Sequence, residues 1–348
     1  TNLSEEKKET IHKKLNDVDH EYILIDNEDA ARSVCEVLLT FSTVSFDTET
    51  TSVDAISAHL VGLSFAVEGG RAWYVAVPRE TEAAQRMVDI FRPFYENTQI
   101  LKVGQNIKYD LNVLARYGIR LSFPLFDTML AHYLVQPELY HNMDFLAEVY
   151  LNYQTIHIEE LIGPKGRNQK NMADLDPTDI RDYACEDADV TLRLMQPLKE
   201  ELEKNGLMQE FHDIEMPLMP VLAEMEMNGV RIDTESLKET SSVLTARMKD
   251  IEKHIYELAG VEFNIASPKQ VGEVLFDKLK IVEKAKKTKT GQYVTSEEVL
   301  QSLKHKHEIV ADILEHRGLK KLLGTYVDAL PKLINPRTGH IHTSFNQT

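Results

Sequence analysis

A chain of 348 residues is long for one hydrophobic core and comfortable for two, and its 43% hydrophobic and 27% charged residues make an ordinary globular balance. Two cysteines, Cys35 and Cys185, exclude a disulfide framework and lack zinc-site spacing. No apolar run reaches membrane-spanning length, and the polar opening TNLSEEKKETIHKKLND is no signal peptide, so a cytoplasmic protein without membrane contact is expected. The net charge of −17 argues against a polyanionic partner until its distribution is counted: residues 211–348 hold 19 Lys/Arg against 20 Asp/Glu, which leaves −16 in the first 210. Carboxylates can still face phosphate when divalent cations lie between them.

In chain order, residues 1–20 read as a charged lead-in. EYILID (21–26) reads as a strand, 27–41 as an amphipathic helix, and 43–47 as a strand ending in Asp47. Residues 59–67 and 71–78 form a hairpin around Glu68-Gly69-Gly70. A helix over 82–95 precedes a strand at 100–104, and helices follow at 107–117, 127–134 and 143–150. After a loop at 163–171, Asp176 caps a long helix with Pro177 in its first position, and Asn205-Gly206 stops it. Beyond residue 210 the pattern is all-helical. Asp233 caps a rod with apolar Leu237, Leu244, Met248, Ile251, Ile255 and Leu258 that Gly260 ends, Ser267-Pro268 opens another helix, Thr295-Ser-Glu-Glu298 reads as a capping box, and 308–330 is helical. Early strands and later helices suggest a mixed sheet covered by helices.

The chemistry-bearing residues are carboxylates. Asp47 and Glu49 are two apart on a strand and share a face, where they repel unless a cation joins them. Alone, they read more readily as solvated acids at an exposed strand end than as a site. Asn106 and Asp110 lie at the start of a helix, and Tyr183 and Asp187 lie one turn apart on the long helix. Oxygen-donor acids in this number suit two hard cations, Mg2+ or Mn2+, which can serve the attacking and leaving oxygens of an in-line phosphodiester displacement. Six lysines between Lys278 and Lys289 face only Glu283. Such a run is more often a solvated loop than a phosphate contact.

VSFDTETTSVDAISAHLVGLSFAV, KVGQNIKYDLNVL and YACEDADVTL resemble the three exonuclease motifs of the family A DNA polymerases, the bacterial DNA polymerase I group, in the subclass with four acids and a tyrosine. The likeness continues through LFDTMLAHYLVQP, NMDFLAEVYL and IEMPLMPVLAEMEMNGVRID to FNIASPKQVGEVLFDKL, TSEEVL, HRGLKKLLGTYVDALP and GHIHTSFNQT, in family order. It implies a ribonuclease H-like 3′–5′ exonuclease domain at 21–205, with a mixed sheet flanked by helices, and the thumb start of a polymerase domain at 206–348.

The resemblance assigns roles. Asp47 would bridge two divalent metals (Mg2+ or Mn2+, with Zn2+ also admissible at the inner site). Glu49 and Asp187 would complete the inner site, Asp110 would support the outer one, and Tyr183 would orient the attacking water with Glu49 assisting. Val53, Gln105, Asn106 and Tyr109 would touch a frayed single-stranded 3′ end, while Lys284, Lys286, Lys287 and Lys289 on a helical thumb tip would follow the duplex backbone. Lysine suits that task because it contacts phosphate without reading sequence. Two positions depart from the pattern: Tyr140 stands where an arginine is often found and Ile158 where a relative stacks a phenylalanine. The family's palm and finger motifs and its 5′ nuclease region are absent from the sequence, so a proofreading fragment that does not polymerise by itself is expected, associated with the bacterial nucleoid and needing no obligate protein partner. Two other readings are a ribonuclease D-like exoribonuclease, which shares the acid set, and a non-catalytic DNA-binding module.

Overall fold

The computed structural model describes residues 12–348, so residues 1–11 of the expected lead-in lie outside it. The chain divides into two compact units, one running to Asn228 and including Thr343–Thr348, the other Gly229–His342. Residues 206–228, expected with the second domain, therefore belong to the first unit.

In the first unit, β1 (Glu21–Ile25), β2 (Thr43–Thr50), β3 (Leu60–Glu68), β4 (Arg71–Ala76), β5 (Leu101–Gly104) and β6 (Leu125–Asp127) form one sheet in the order β1-β4-β3-β2-β5-β6. The β2–β3 and β3–β4 pairs are antiparallel, while β1–β4, β2–β5 and β5–β6 are parallel. β2 runs three residues past Asp47, so both acids of Asp-x-Glu lie within the strand rather than at its end. β6 is an unexpected strand, too short to show a period of two.

The helices of this unit are α1 (Glu28–Leu38), α2 (Thr81–Ile90), α3 (Arg92–Tyr95), α4 (Ile107–Ala115), α5 (Thr128–Val135), α6 (Met143–Leu146), α7 (Ile158–Ile162), α8 (Pro177–Lys204), α9 (Met208–Glu210) and α10 (Met216–Asn228). The single helix expected over 82–95 is two, broken at Phe91. Pro93 has no N–H to continue the ladder to Asp89. The helix expected over 143–150 passes from α6 into a π-helical turn, Ala147–Leu151. Asp176 caps α8 by accepting from the Thr178 N–H, with Pro177 in the first turn, as its sequence indicates.

Two cores follow from strand alternation. Val44, Phe46, Phe65, Trp73 and Val75 pack on one face with Leu38, Val88, Phe91 and Phe94. Ala66, Ala72 and Tyr74 face Ile180, Ala184, Cys185 and Ala188 of α8 on the other. Phe65 stacks on Phe91 with ring centroids 4.8 Å apart, an aromatic pairing beyond simple area burial. Small residues at 184, 185 and 188 let α8 lie close across the strands.

The second unit contains α11 (Thr234–Ala259), α12 (Pro268–Gly272), α13 (Glu297–Leu303) and α14 (Glu308–Leu322). Asp233 caps α11, and Gly260 ends it in the left-handed conformation (φ +62). Ile251, Ile255 and Ala259 pack against Ile309, Val310 and Ile313, whereas Leu237, Leu244 and Met248 stay half-exposed. The expected capping box at Thr295 does not form. Ser296 precedes the helix without a side-chain cap, and Thr295 is buried, its carbonyl accepting from Arg317 Nη1 at 2.5 Å. Residues 279–292, including Lys284, Lys286, Lys287 and Lys289, form an irregular loop rather than a helical tip. Among the described residues, no helix is long and apolar enough to cross a membrane.

Candidate active site

β2 sends Ser45, Asp47 and Glu49 toward α8. The Ser45 hydroxyl donates to the Ala188 carbonyl at 2.5 Å, a buried bond that ties strand to helix. Glu49 pairs across the ladder with Gly62. A Cβ at Gly62 would stand 2.1 Å from Tyr74 Cε2, so the missing side chain is what lets the Tyr74 ring cross β3.

The rotation of α8 is set on both sides of Asp187. Glu186 accepts from Tyr153 Oη at 2.5 Å and the Ile156 N–H at 2.6 Å. Asp189 accepts from the Gly70 N–H at 2.8 Å and Tyr22 Oη at 3.0 Å, with Arg193 at 3.7 Å. With the helix so held, Asp47, Glu49 and Asp187 offer carboxylate oxygens within 4.8 Å of one another. Among the described residues, Glu49 Oε1 and Asp187 Oδ1 are buried without a hydrogen-bond partner, a costly state for an acceptor unless a cation supplies the partner.

Electrostatics point the same way. Burial pushes the Asp47 carboxyl up to about 7, against the pull of the Thr48 N–H. Glu49 is raised well above the usual range by burial and then by the Asp47 charge. Asp187 is raised by burial, then by Asp47, Glu49 and Glu186. A divalent ion among them reverses this logic and holds all three ionised. The donor set, all hard oxygens, fits Mg2+ or Mn2+.

Asp110 stands apart from this trio. Its Oδ1 accepts from Thr48 Oγ1 at 2.6 Å, on the strand face opposite Asp47 and Glu49, and it is not among the three clustered acids. It remains within electrostatic reach of Asp47, whose charge adds to burial in raising its pKa well above the usual range. Tyr183 hydrogen-bonds Asp187; burial and the charges of Asp187, Glu49 and Asp47 keep its phenol neutral.

The expected DNA-facing residues fall into different situations. Val53 is 97% exposed on the loop after β2. Gln105 is engaged internally, donating to the His141 carbonyl at 2.7 Å and accepting from Thr128 Oγ1. Asn106 sits in the left-handed conformation at the start of α4. The Tyr109 hydroxyl meets Thr50 Oγ1 and donates to the Ser52 carbonyl, both at 2.5 Å, and so tethers the Val53 loop. Tyr140 is 78% and Ile158 37% exposed. In the second unit, all four named lysines are exposed, and Lys287 Nζ lies 4.4 Å from the Tyr293 ring centroid.

Sequence reasoning missed Thr48, Ser45, Glu186, Asp189 and Asp127 as partners of the site. Only the run of acids at 186, 187 and 189 was a local signal, and nothing in it tells which acid faces the sheet.

A mixed sheet crossed by a helix, with two buried carboxylates, a partly buried third and a neutral tyrosine converging between them, defines a hydrolase-type acidic site that could hold a metal ion. The chain belongs to the 3′–5′ exonuclease family found in family A DNA polymerases. The 3′–5′ exonuclease family profile matches residues 22–203, and the profile for DNA polymerase family A matches 234–348. DNA polymerase I of Pseudomonas aeruginosa is 44% identical over 315 residues, 87% of this chain and 34% of that protein. DNA polymerase I of Chloroflexus aurantiacus is 39% identical over 312 residues, 87% and 33% respectively. The chain thus spans about a third of the length of these curated relatives. A solved structure, the POL domain of Pol1 from M. smegmatis in complex with DNA primer-template and dNTP, superposes with a TM-score of 0.76 at 26% identity, over 93% of this chain and 53% of that one. The ribonuclease H-like sheet and the helical second unit are in keeping with that likeness.

Proposed function

We propose that the first unit removes nucleotides from the 3′ end of DNA by hydrolysing the terminal phosphodiester, as the proofreading activity of a bacterial DNA polymerase I that works in cytoplasmic replication and repair. The observation that carries this is the trio Asp47, Glu49 and Asp187, with two buried carboxylate oxygens that have no hydrogen-bond partner among the described residues. These three would hold an inner Mg2+ or Mn2+ (Zn2+ is also compatible), and Asp110, which is engaged by Thr48 and stands outside the trio, would support a second ion beside Asp47 largely through water. Such ions, when bound, supply positive charge where the attacking and leaving oxygens develop negative charge. Tyr183, a neutral phenol beside Glu49, orients the attacking water, and Glu49 accepts a hydrogen bond from it. Asn106, at the start of the helix that carries Asp110, and the loop after β2 that carries Val53 would receive the single-stranded end, with stacking on exposed side chains adding sequence-tolerant affinity.

The lysines at 284, 286, 287 and 289 are proposed to contact the phosphates of duplex DNA. Their exposure and their single opposing acid, Glu283, support this. The test of the nuclease reading is digestion of 3′-labelled single-stranded DNA in Mg2+. Asp47→Ala/Glu49→Ala must abolish it, and undiminished digestion by that variant overturns the reading. Matched RNA oligonucleotides should be degraded far more slowly.

A further inference from the structure

Helix α4 presents Asn106, Tyr109 and Asp110, yet its first turn lacks the usual closure. Asn106 is at φ 63 and ψ 47, and its side chain makes no cap hydrogen bond, although asparagine is among the best capping residues. L-residues enter this left-handed region reluctantly, so something else must hold the turn. A left-handed residue followed by a right-handed one aims successive N–H groups into one anion-binding concavity. The anion here is internal. Asp127, at the end of β6 and 1% exposed, accepts from the Ile107 N–H through Oδ2 at 2.7 Å and from the Asn106 N–H through Oδ1 at 3.3 Å. The same Oδ1 also accepts from the Met129 and Leu130 N–H groups, at 2.8 and 3.2 Å, and so caps α5. The Thr128 hydroxyl shares its one proton between Gln105 Oε1 and the Gly104 carbonyl, the latter at 3.2 Å. One corner, Asp127-Thr128, therefore shapes the whole turn from 104 to 107.

We propose that Asp127 is a positioning residue for the nuclease reaction. By capping α4 in place of Asn106, it spares the Asn106 carboxamide for the sugar-phosphate of the terminal nucleotide and sets the rotation of the helix that presents Asp110. This rests on the nuclease reading above. Small displacements of such groups are costly to rate, since a misplacement of about 1 Å lowers it about a hundredfold.

Asp127→Asn separates the two duties. Its Oδ1 still caps α5, while an NH2 replaces the oxygen that faces the Ile107 N–H. In the full chain, well below its melting temperature, Asp127→Asn is expected to lower kcat/KM on oligo-dT roughly ten- to a hundredfold and to raise the Mn2+ concentration for half-maximal activity. Unchanged kcat/KM and unchanged Mn2+ dependence would show that Asp127 serves stability alone and overturn the proposal. Amide hydrogen exchange gives a readout free of activity. In the wild type the Ile107 amide is protected, and in Asp127→Asn it exchanges at least about tenfold faster while Met129 and Leu130 keep their protection. An unprotected Ile107 amide in the wild type refutes the clamp whether or not the variant folds. A wild type that leaves DNA intact in Mn2+ refutes the nuclease reading instead, and the exchange data then still decide the clamp.

Discussion

Replacing Asp47 by asparagine should stabilise the metal-free protein while destroying its metal site. The Asp47 carboxyl is held at about 7, roughly three units above an ordinary aspartate, and each unit is worth about 1.4 kcal/mol. Asp47 keeps part of its surface in solvent, so screening reduces the resulting figure of about 4 kcal/mol to roughly 2 kcal/mol. The sign follows from proton binding. A carboxyl whose pKa is raised on folding stabilises the fold fully below the unfolded value of about 4, and that stability is lost as pH rises through 7. At pH 8 in EDTA the wild type therefore bears the cost of ionising Asp47 and Asp47→Asn does not. The variant should melt about 4–8 °C higher, taking 2–4 °C per kcal/mol for a unit of this size, and the difference should shrink toward pH 5. Mn2+ at a hundred times its Kd adds about 2.7 kcal/mol to the wild type and little to Asp47→Asn. Calorimetry at the two pH values, with and without Mn2+, measures all four terms. A variant that melts no higher than the wild type at pH 8 in EDTA, or one that keeps the full Mn2+ shift, refutes the reasoning.

On the proposed reading, in which its neutral hydroxyl orients the water and adds no charge among the acids, Tyr183→Phe should lower kcat by about 10–100-fold with little change in Mn2+ affinity; single-turnover kinetics with Mn2+ titration measure both. Gly62→Ala should cost about 1–3 kcal/mol through overpacking against the Tyr74 ring, and Gly62→Ala/Tyr74→Leu should recover much of it in chemical denaturation. Changing Lys284, Lys286, Lys287 and Lys289 to alanine should reduce the salt dependence of duplex binding by up to about one unit of slope for each phosphate no longer neutralised and leave single-strand digestion intact. An unchanged slope would return the 279–292 loop to a solvated surface.

The acids were legible because their spacing carries their geometry: Asp47 and Glu49 share a strand face, and Tyr183 and Asp187 share a helix face, whatever the rest of the chain does. The caps at Asp176 and Asp233 and the stop at Gly260 were equally local. The partners that complete the site were not. Thr48 looked like the spacer of Asp-x-Glu, yet it points through the sheet to Asp110, and only the placement of α4 on that face reveals the pairing. Asp127 read as the first residue of a helix, and its second duty exists because the β6–α5 corner meets the 104–107 turn. Local periodicity thus determined which residues could share a face. The rotation of α8, the separation of Asp110 from the other three acids and the internal engagement of Gln105 depended on long-range packing and hydrogen bonds. Those join residues far apart in sequence, and no spacing rule encodes them.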